Sequence, residues 1–191
     1  MGSDKDQLGH IFSGMRQQQQ AAERPGAVEA NRLIALASLD AMPWKNGGGT
    51  TYQIAADPPQ ANTSNFRWRV SRAVIERDGP FSAFPDVSRW IVLTSGPGFT
   101  LEFTDGTSFE VTKPFEVYWF DGGQAVSCRL KDGRPSTVVN VMARNDVVMR
   151  VNIAQNRNML PSAGHAIVSA YSASVRLDER HVLLAAVDKP F

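Results

Sequence analysis

Three observations predict an all-β sandwich or barrel. Short apolar or alternating runs recur from Arg32 onward, turn signals separate them at roughly eight-to-twelve-residue spacing, and no helical periodicity appears between them. Arg32 to Leu39 and Thr50 to Ala56 are the first two strand candidates. Phe66-Arg67-Trp68-Arg69-Val70-Ser71 alternates strictly, with apolar side chains on one face and Arg67, Arg69 and Ser71 on the other. Trp90 to Thr94 is a continuous apolar run. Phe99 to Phe103 alternates, and Asp105-Gly106 predicts a type I′ hairpin into Thr107 to Val111. Val117 to Phe120 and Ala125 to Leu130 follow, separated by the turn Asp121-Gly122-Gly123. Asp132-Gly133 then turns the chain toward Val138 to Ala143 and Val147 to Ile153. Ala166 to Ala170, Val175 to Leu177 and Val182 to Ala186 complete the set.

Composition narrows the function classes. The 20 basic and 19 acidic residues leave a net charge of +1, which predicts neither nucleic-acid binding nor a steering field for acidic partners. One cysteine, Cys128, rules out an intrachain disulfide and a cysteine-rich zinc site, and fits a reducing compartment. Cys128 shares its parity with Val126 and Leu130, so burial is expected. No apolar run reaches the roughly 18 residues of a membrane span, and residues 1–30 lack the apolar core of a secretory signal. That segment reads as a short amphipathic helix (Leu8, Ile11, Phe12 and Met15 at helical spacing, Ser3 or Asp4 as cap) followed by a linker that Pro25-Gly26 ends. The domain proper is expected over 32–191.

The densest local signal is Pro43-Trp44-Lys45-Asn46-Gly47-Gly48-Gly49-Thr50-Thr51. Three consecutive glycines suit unusual backbone angles or close approach. Beside a tryptophan, a lysine and an asparagine they offer backbone N–H groups to a small anion. The alternative is a glycine-rich β-connection anchored by Trp44. It is neither a phosphate-binding Walker loop nor a dinucleotide fingerprint, because no Gly-Lys-Ser/Thr and no helix pattern follow.

Further along, Leu93-Thr94-Ser95-Gly96-Pro97-Gly98 leads into a hairpin and then Pro114 to Phe120, the order seen in the middle of a cupin jelly roll. Together with the glycine loop, two more islands complete a pattern: Trp68-Arg69-Val70-Ser71 with Asp78-Gly79-Pro80-Phe81-Ser82-Ala83-Phe84-Pro85, and Asn140-Val141-Met142-Ala143-Arg144. In this order and spacing the chain closely resembles the HutD/Ves family over residues 32–191. It departs from that family's usual residues at Tyr52-Gln53, Ser88-Arg89 and Val138-Val139. The resemblance implies an RmlC-like cupin double jelly roll, or bicupin, in a cytoplasmic bacterial protein tied to histidine utilisation or, in the Ves branch, to stress induction. It implies no established catalysis and a proposed binding of a histidine-degradation intermediate such as formiminoglutamate.

The residues themselves predict little metal or nucleophile chemistry. A metallo-cupin needs about three ligands around an open site, whereas the chain has only His10, His165 and His181, none with a second ligand at working spacing. His165 reads as a loop residue and His181 as an exposed strand residue. Ser71 and Ser82 have no histidine base, and no cofactor is expected. Asp78 serves either as a general base or as a turn-capping side chain. Lys45 serves as a carboxylate's partner, as a Schiff-base amine or as a plain loop charge. Arg67 and Arg69 line a cavity if their sheet face turns inward; otherwise both lie in solvent. Arg69 lies within a matching island, and Asn140 and Arg144 join it from a later strand.

The expectation is a metal-free pocket for a small anionic metabolite. Its candidate residues are Trp44, Lys45, Asn46, Gly47, Gly48, Gly49, Arg69, Ser71, Asp78, Phe81, Ser82, Asn140 and Arg144. Two alternatives remain: a metal-independent isomerase, epimerase or hydrolase using Asp78 or Lys45, and an interaction module using the N-terminal segment and a sheet edge. A homodimer is the expected assembly.

Overall fold

The computed structural model describes residues 31–155, 158 and 160–188; the expected N-terminal helix and linker, with His10, lie outside them. Among the described residues, fifteen strands form three sheets. Strands β1 (Arg32–Ala35), β2 (Ala41–Pro43), β3 (Gly49–Asp57) and β4 (Trp68–Ile75) come first, then the two-residue β5 (Gly79–Pro80). Next are β6 (Val87–Ser95), β7 (Phe99–Phe103), β8 (Ser108–Val111), β9 (Val117–Asp121), β10 (Val126–Leu130) and β11 (Ser136–Arg144). The chain closes with β12 (Met149–Gln155), β13 (His165–Ser169), β14 (Ser172–Arg176) and β15 (His181–Val187).

Strands β4 to β11 make a complete eight-stranded jelly roll. Four of them run β4-β11-β6-β9 in one sheet and the other four run β5-β10-β7-β8 in the facing sheet, the pairing that two interlocked Greek keys produce. The first sheet is extended by β3 and β2 to six strands. Its other face is covered by a third, five-stranded sheet, β1-β13-β14-β15-β12. The middle sheet is thus shared by two sandwiches. Trp68, Val70, Val92, Val139, Val141 and Ala143 pack on the five-stranded sheet through Ala166, Val168, Val175 and Leu183. Ala73, Ile75, Ile91, Leu93 and Val138 pack on the four-stranded sheet through Phe99, Leu101, Val126, Cys128 and Leu130. This double layering explains why Val138 to Ala143 is nearly continuous in apolar residues: β11 is the inner strand of a sheet buried on both faces, so neither parity is free to be polar. Cys128 is buried as expected, and burial first, then the charge of Asp78, pushes its thiol up to about 12.

Local differences from the sequence reading have local causes. The first strand stops at Ala35 because a 3₁₀ turn follows over Leu36–Ser38, with Ser38 Oγ donating to the Ala35 carbonyl at 2.8 Å. The short β2 escaped the pattern because it ends in Pro43; it lies on the sheet's edge, where a missing N–H is tolerated. At Asp105-Gly106 the hairpin is not type I′. Gly106 N–H bonds the Phe103 carbonyl and Phe103 N–H bonds the Thr107 carbonyl, giving a three-residue loop in which only Gly106 takes a positive φ (85°). The I′ geometry appears instead at Asp132 (φ 56°) and Gly133 (φ 62°), closed by Arg134 N–H on the Lys131 carbonyl. No helix among the described residues is long and apolar enough to cross a membrane.

Candidate functional site

The four-stranded sheet is too small to cover the middle sheet's whole inner face. At the end beyond β5 that face opens into a cavity of about 560 Å³. Its floor is set by strand register. Arg69 on β4 lies opposite Met142 on β11, which lies opposite Arg89 on β6; one rung along, Ser71 lies opposite Asn140. All five project to the same face, in the row that continues as Ala73, Ile75, Ile91 and Leu93 inside the dry core. The inward orientation left open for Arg69 is therefore the one observed. Arg67, of the same parity but beyond the sheet, is exposed and pairs with Asp57 at 3.2 Å.

The floor is cationic without compensation. Arg69 and Arg89 are each 6% exposed, and among the described residues neither has a carboxylate within ion-pair distance. Arg69 Nε donates to Gln53 Oε1 at 2.8 Å. Among the described residues the Arg89 side chain has one hydrogen bond, Nη1 to the Ser82 carbonyl at 3.3 Å, while its buried Nε has no partner there. Its guanidinium lies instead against the rings of Phe120, Phe81 and Phe84 at 4.8, 5.5 and 5.6 Å. Burial lowers both guanidinium pKa values; Arg89 falls to about 10, first from burial and then from the charge of Arg69. Asn140, 8% exposed, has an Oδ1 with no donor.

The walls come from the Trp44 loop and the turn after β5. Trp44, Lys45, Asn46, Phe81 and Ser82 line the cavity together with Arg69, Ser71 and Asn140, so eight of the expected residues meet there. Trp44 is half-buried; its Nε1 donates to Thr51 Oγ1 at 2.7 Å, and its ring meets Phe81 edge-on at 5.7 Å. Asn46 staples the loop: Nδ2 donates to the Pro80 carbonyl at 3.2 Å, and Oδ1 accepts the Gly48 N–H at 3.0 Å.

Five expected residues do not line the cavity. Gly47 has the positive φ anticipated (67°), but its N–H bonds the Trp44 carbonyl, and the Gly48 N–H is taken by Asn46. Gly49 is required by close packing, since a Cβ there would lie 2.3 Å from the Val74 carbonyl oxygen. The expected backbone anion receptor is therefore corrected: the loop spends these N–H groups on its own shape and reaches the cavity through side chains. Asp78 accepts the Leu130 N–H at 2.7 Å and so fixes β5 beside β10; as a proton-transfer group it faces the wrong way, leaving Lys45 for the enzymatic alternative. Arg144 donates to the carbonyls of Ser64, Phe66 and Pro85, bracing two loops over a smaller neighbouring pocket of about 280 Å³.

Among the described residues no group of three His, Cys, Asp or Glu side chains stands close enough to hold a metal. His165 opens β13 and contacts the Ala163 carbonyl. His181 is half-buried rather than exposed: it stacks on Phe115 at 4.2 Å and meets the Asp178 carboxylate at 3.0 Å. Arg89 is the main site residue that sequence reasoning passed over. Its signal was present: Val87, Arg89, Ile91 and Leu93 share one parity, and a charge in an apolar row is a buried charge needing a reason.

Comparison with known proteins agrees with this architecture. The HutD family model matches residues 36–188. Protein Ves of Escherichia fergusonii is 38% identical over 112 residues, covering 58% of this chain and 57% of that protein. An uncharacterized 21.2 kDa protein in the hutC 3′ region of Pseudomonas putida is 38% identical over 102 residues, covering 53% of each. These alignments thus span little more than half of the curated relatives. Two solved structures share the fold: a conserved Pseudomonas aeruginosa protein of unknown function (TM-score 0.66, 21% identity, 84% of this chain and all of that one) and HutD from Pseudomonas fluorescens SBW25 (TM-score 0.63, 21% identity, the same coverage). The matched span takes in the whole jelly roll and four of the five strands of the sheet behind it, and on that ground the chain belongs to the HutD family.

Proposed function

We propose that the cavity binds a small anionic metabolite through its arginines, and that occupancy regulates amino-acid catabolism. The candidates are intermediates of histidine degradation, formiminoglutamate among them, since relatives carry the names HutD and hutC-region protein. One observation supports the reading above the rest: two arginines more than nine-tenths buried on one rung, with no acidic partner among the described residues. A buried uncompensated cation is costly. A carboxylate that accepts from both forks returns the missing hydrogen bonds and the missing charge at once. Thermal shift with histidine, urocanate and formiminoglutamate tests it. Stabilisation by a member of this panel that disappears in Arg69→Ala and Arg89→Ala is the expected outcome, and no shift across the panel counts against it. The protein is expected to act in the cytoplasm, as a homodimer; light scattering on the full chain checks the assembly.

A further inference from the structure

We infer that the cavity selects amphipathic carboxylates: one carboxylate at the arginine floor and a flat, apolar body against the mouth. This rests on the anion-binding reading and narrows it. The lining is segregated. The two buried cations lie together on the sheet, either side of Met142. Among the more exposed lining residues, Met42, Pro43, Trp44, Pro80, Phe81 and Phe84 are apolar, beside the polar Asn46, Thr63 and Ser82. The six apolar residues are all at least partly exposed, with Met42 at 40%, so a soluble fold keeps apolar surface in water around a polar floor. Only Lys45 brings a charge to that rim. Contiguous exposed apolar surface beside a concave site is what a ligand covers.

The rim is also pre-organised. Trp44 is held by its indole bond to Thr51 and by backbone bonds to Gly49 and Gly47. Phe81 is held by its N–H on the Val126 carbonyl and by the Trp44 ring. Aromatic walls fixed in advance cost little ordering when a ring or conjugated chain docks on them. A wholly polar ligand satisfies the floor and leaves the rim wet. An apolar body gains both ends, and a cavity of about 560 Å³ has room for it.

The test is a calorimetric titration of the full chain with acetate, benzoate and cinnamate, and with succinate and glutarate, at one ionic strength. Cinnamate is expected to bind at least tenfold more tightly than acetate and more tightly than glutarate. Trp44→Ala and Met42→Ser should each weaken cinnamate severalfold and by a larger factor than they weaken acetate; Met42 is exposed, so its variant folds whatever happens at Trp44. Arg89→Gln should weaken every carboxylate. Glutarate or succinate binding more tightly than cinnamate, with the effect of Arg89→Gln retained, overturns this inference and leaves the anion-binding reading standing. Cinnamate binding that ignores both rim variants also overturns it. Absence of binding by every carboxylate overturns both.

Discussion

The middle sheet shows the same strands to two different neighbours. Toward the five-stranded sheet the centre of its face is dry, with Trp68, Val70, Val139 and Val141 closed, while half-buried Arg72 and the 58% exposed Trp119 mark where that cover ends. Toward the four-stranded sheet the face is dry only where the cover reaches. There Ala73, Ile75, Ile91 and Leu93 are core; beyond the two-residue β5, the same row continues as Arg69, Ser71, Asn140 and Arg89. One strand therefore supplies dry packing and cavity floor from one parity, and the boundary between them is set by where the opposite sheet ends. A short strand in one layer creates a site in the next.

The comparison is broken most severely from the dry side. Trp68→Ala removes a side chain 2% exposed, with no room for solvent to fill the void; it should cost about 3–5 kcal/mol. Urea denaturation measures this, and residual carboxylate binding by the folded fraction would show that the two faces are energetically separate. Arg89→Met carries the dry face's chemistry into the wet one. It should raise stability by about 1–4 kcal/mol while abolishing anion binding, because an unpaired buried charge is exchanged for an apolar chain of similar length.

The pH dependence sharpens that result. Burial, and then the charge of Arg69, hold the folded-state Arg89 guanidinium well below an ordinary arginine, so in the alkaline range between the folded and unfolded values the unfolded chain holds the extra proton. Wild-type stability relative to Arg89→Met should rise with pH across that window and show no trend from this group at neutral pH. A constant gap from about pH 10 upward, measured by paired denaturation curves, would mean that the guanidinium is solvated after all.

Gly49→Ala should cost about 1–3 kcal/mol, since its Cβ meets the Val74 carbonyl oxygen at 2.3 Å and backbone has to move. Carboxylate affinity should change little, because that glycine lies off the cavity. At the small end, Arg67→Ala breaks a solvent-exposed pair with Asp57 and should cost less than about 1 kcal/mol. A larger loss would show that the sheet's outer margin is less independent of the floor than its exposure indicates.

Much of the fold was legible because alternation and turns are local signals. Phe99 to Phe103 is a strand with the bounds that its pattern predicts, and Val126, Cys128 and Leu130 all face inward as their parity requires. β5 was illegible: Gly79-Pro80 pairs only because β10 lies beside it and Asp78 ties the two, information that sits fifty-two positions away. The glycine loop was legible as important and misread in mechanism. Bare backbone serves equally for an anion nest and for close approach to a carbonyl, and only the position of Val74 decides between them. Arg69, Ser71 and Asn140 emerged from the family islands; the burial of Arg89 was written in the parity of its own segment, but its place beside Arg69 needed the rung across β11, and register between distant strands is not written in any one segment.

The central place of β11 has a consequence for how the protein is made. It lies between β4 and β6, so neither strand gains its inner neighbour until Arg144 has been synthesised. On the ribosome, β4 and β6 wait with open hydrogen-bonding edges and their apolar rows uncovered. Closure then joins segments far apart in the chain, the class of contact that makes β topologies fold in roughly milliseconds to seconds. The strand that completes the cavity floor is therefore also the one whose late arrival prolongs exposure to aggregation, and demand for chaperone protection should peak just before residue 144 emerges.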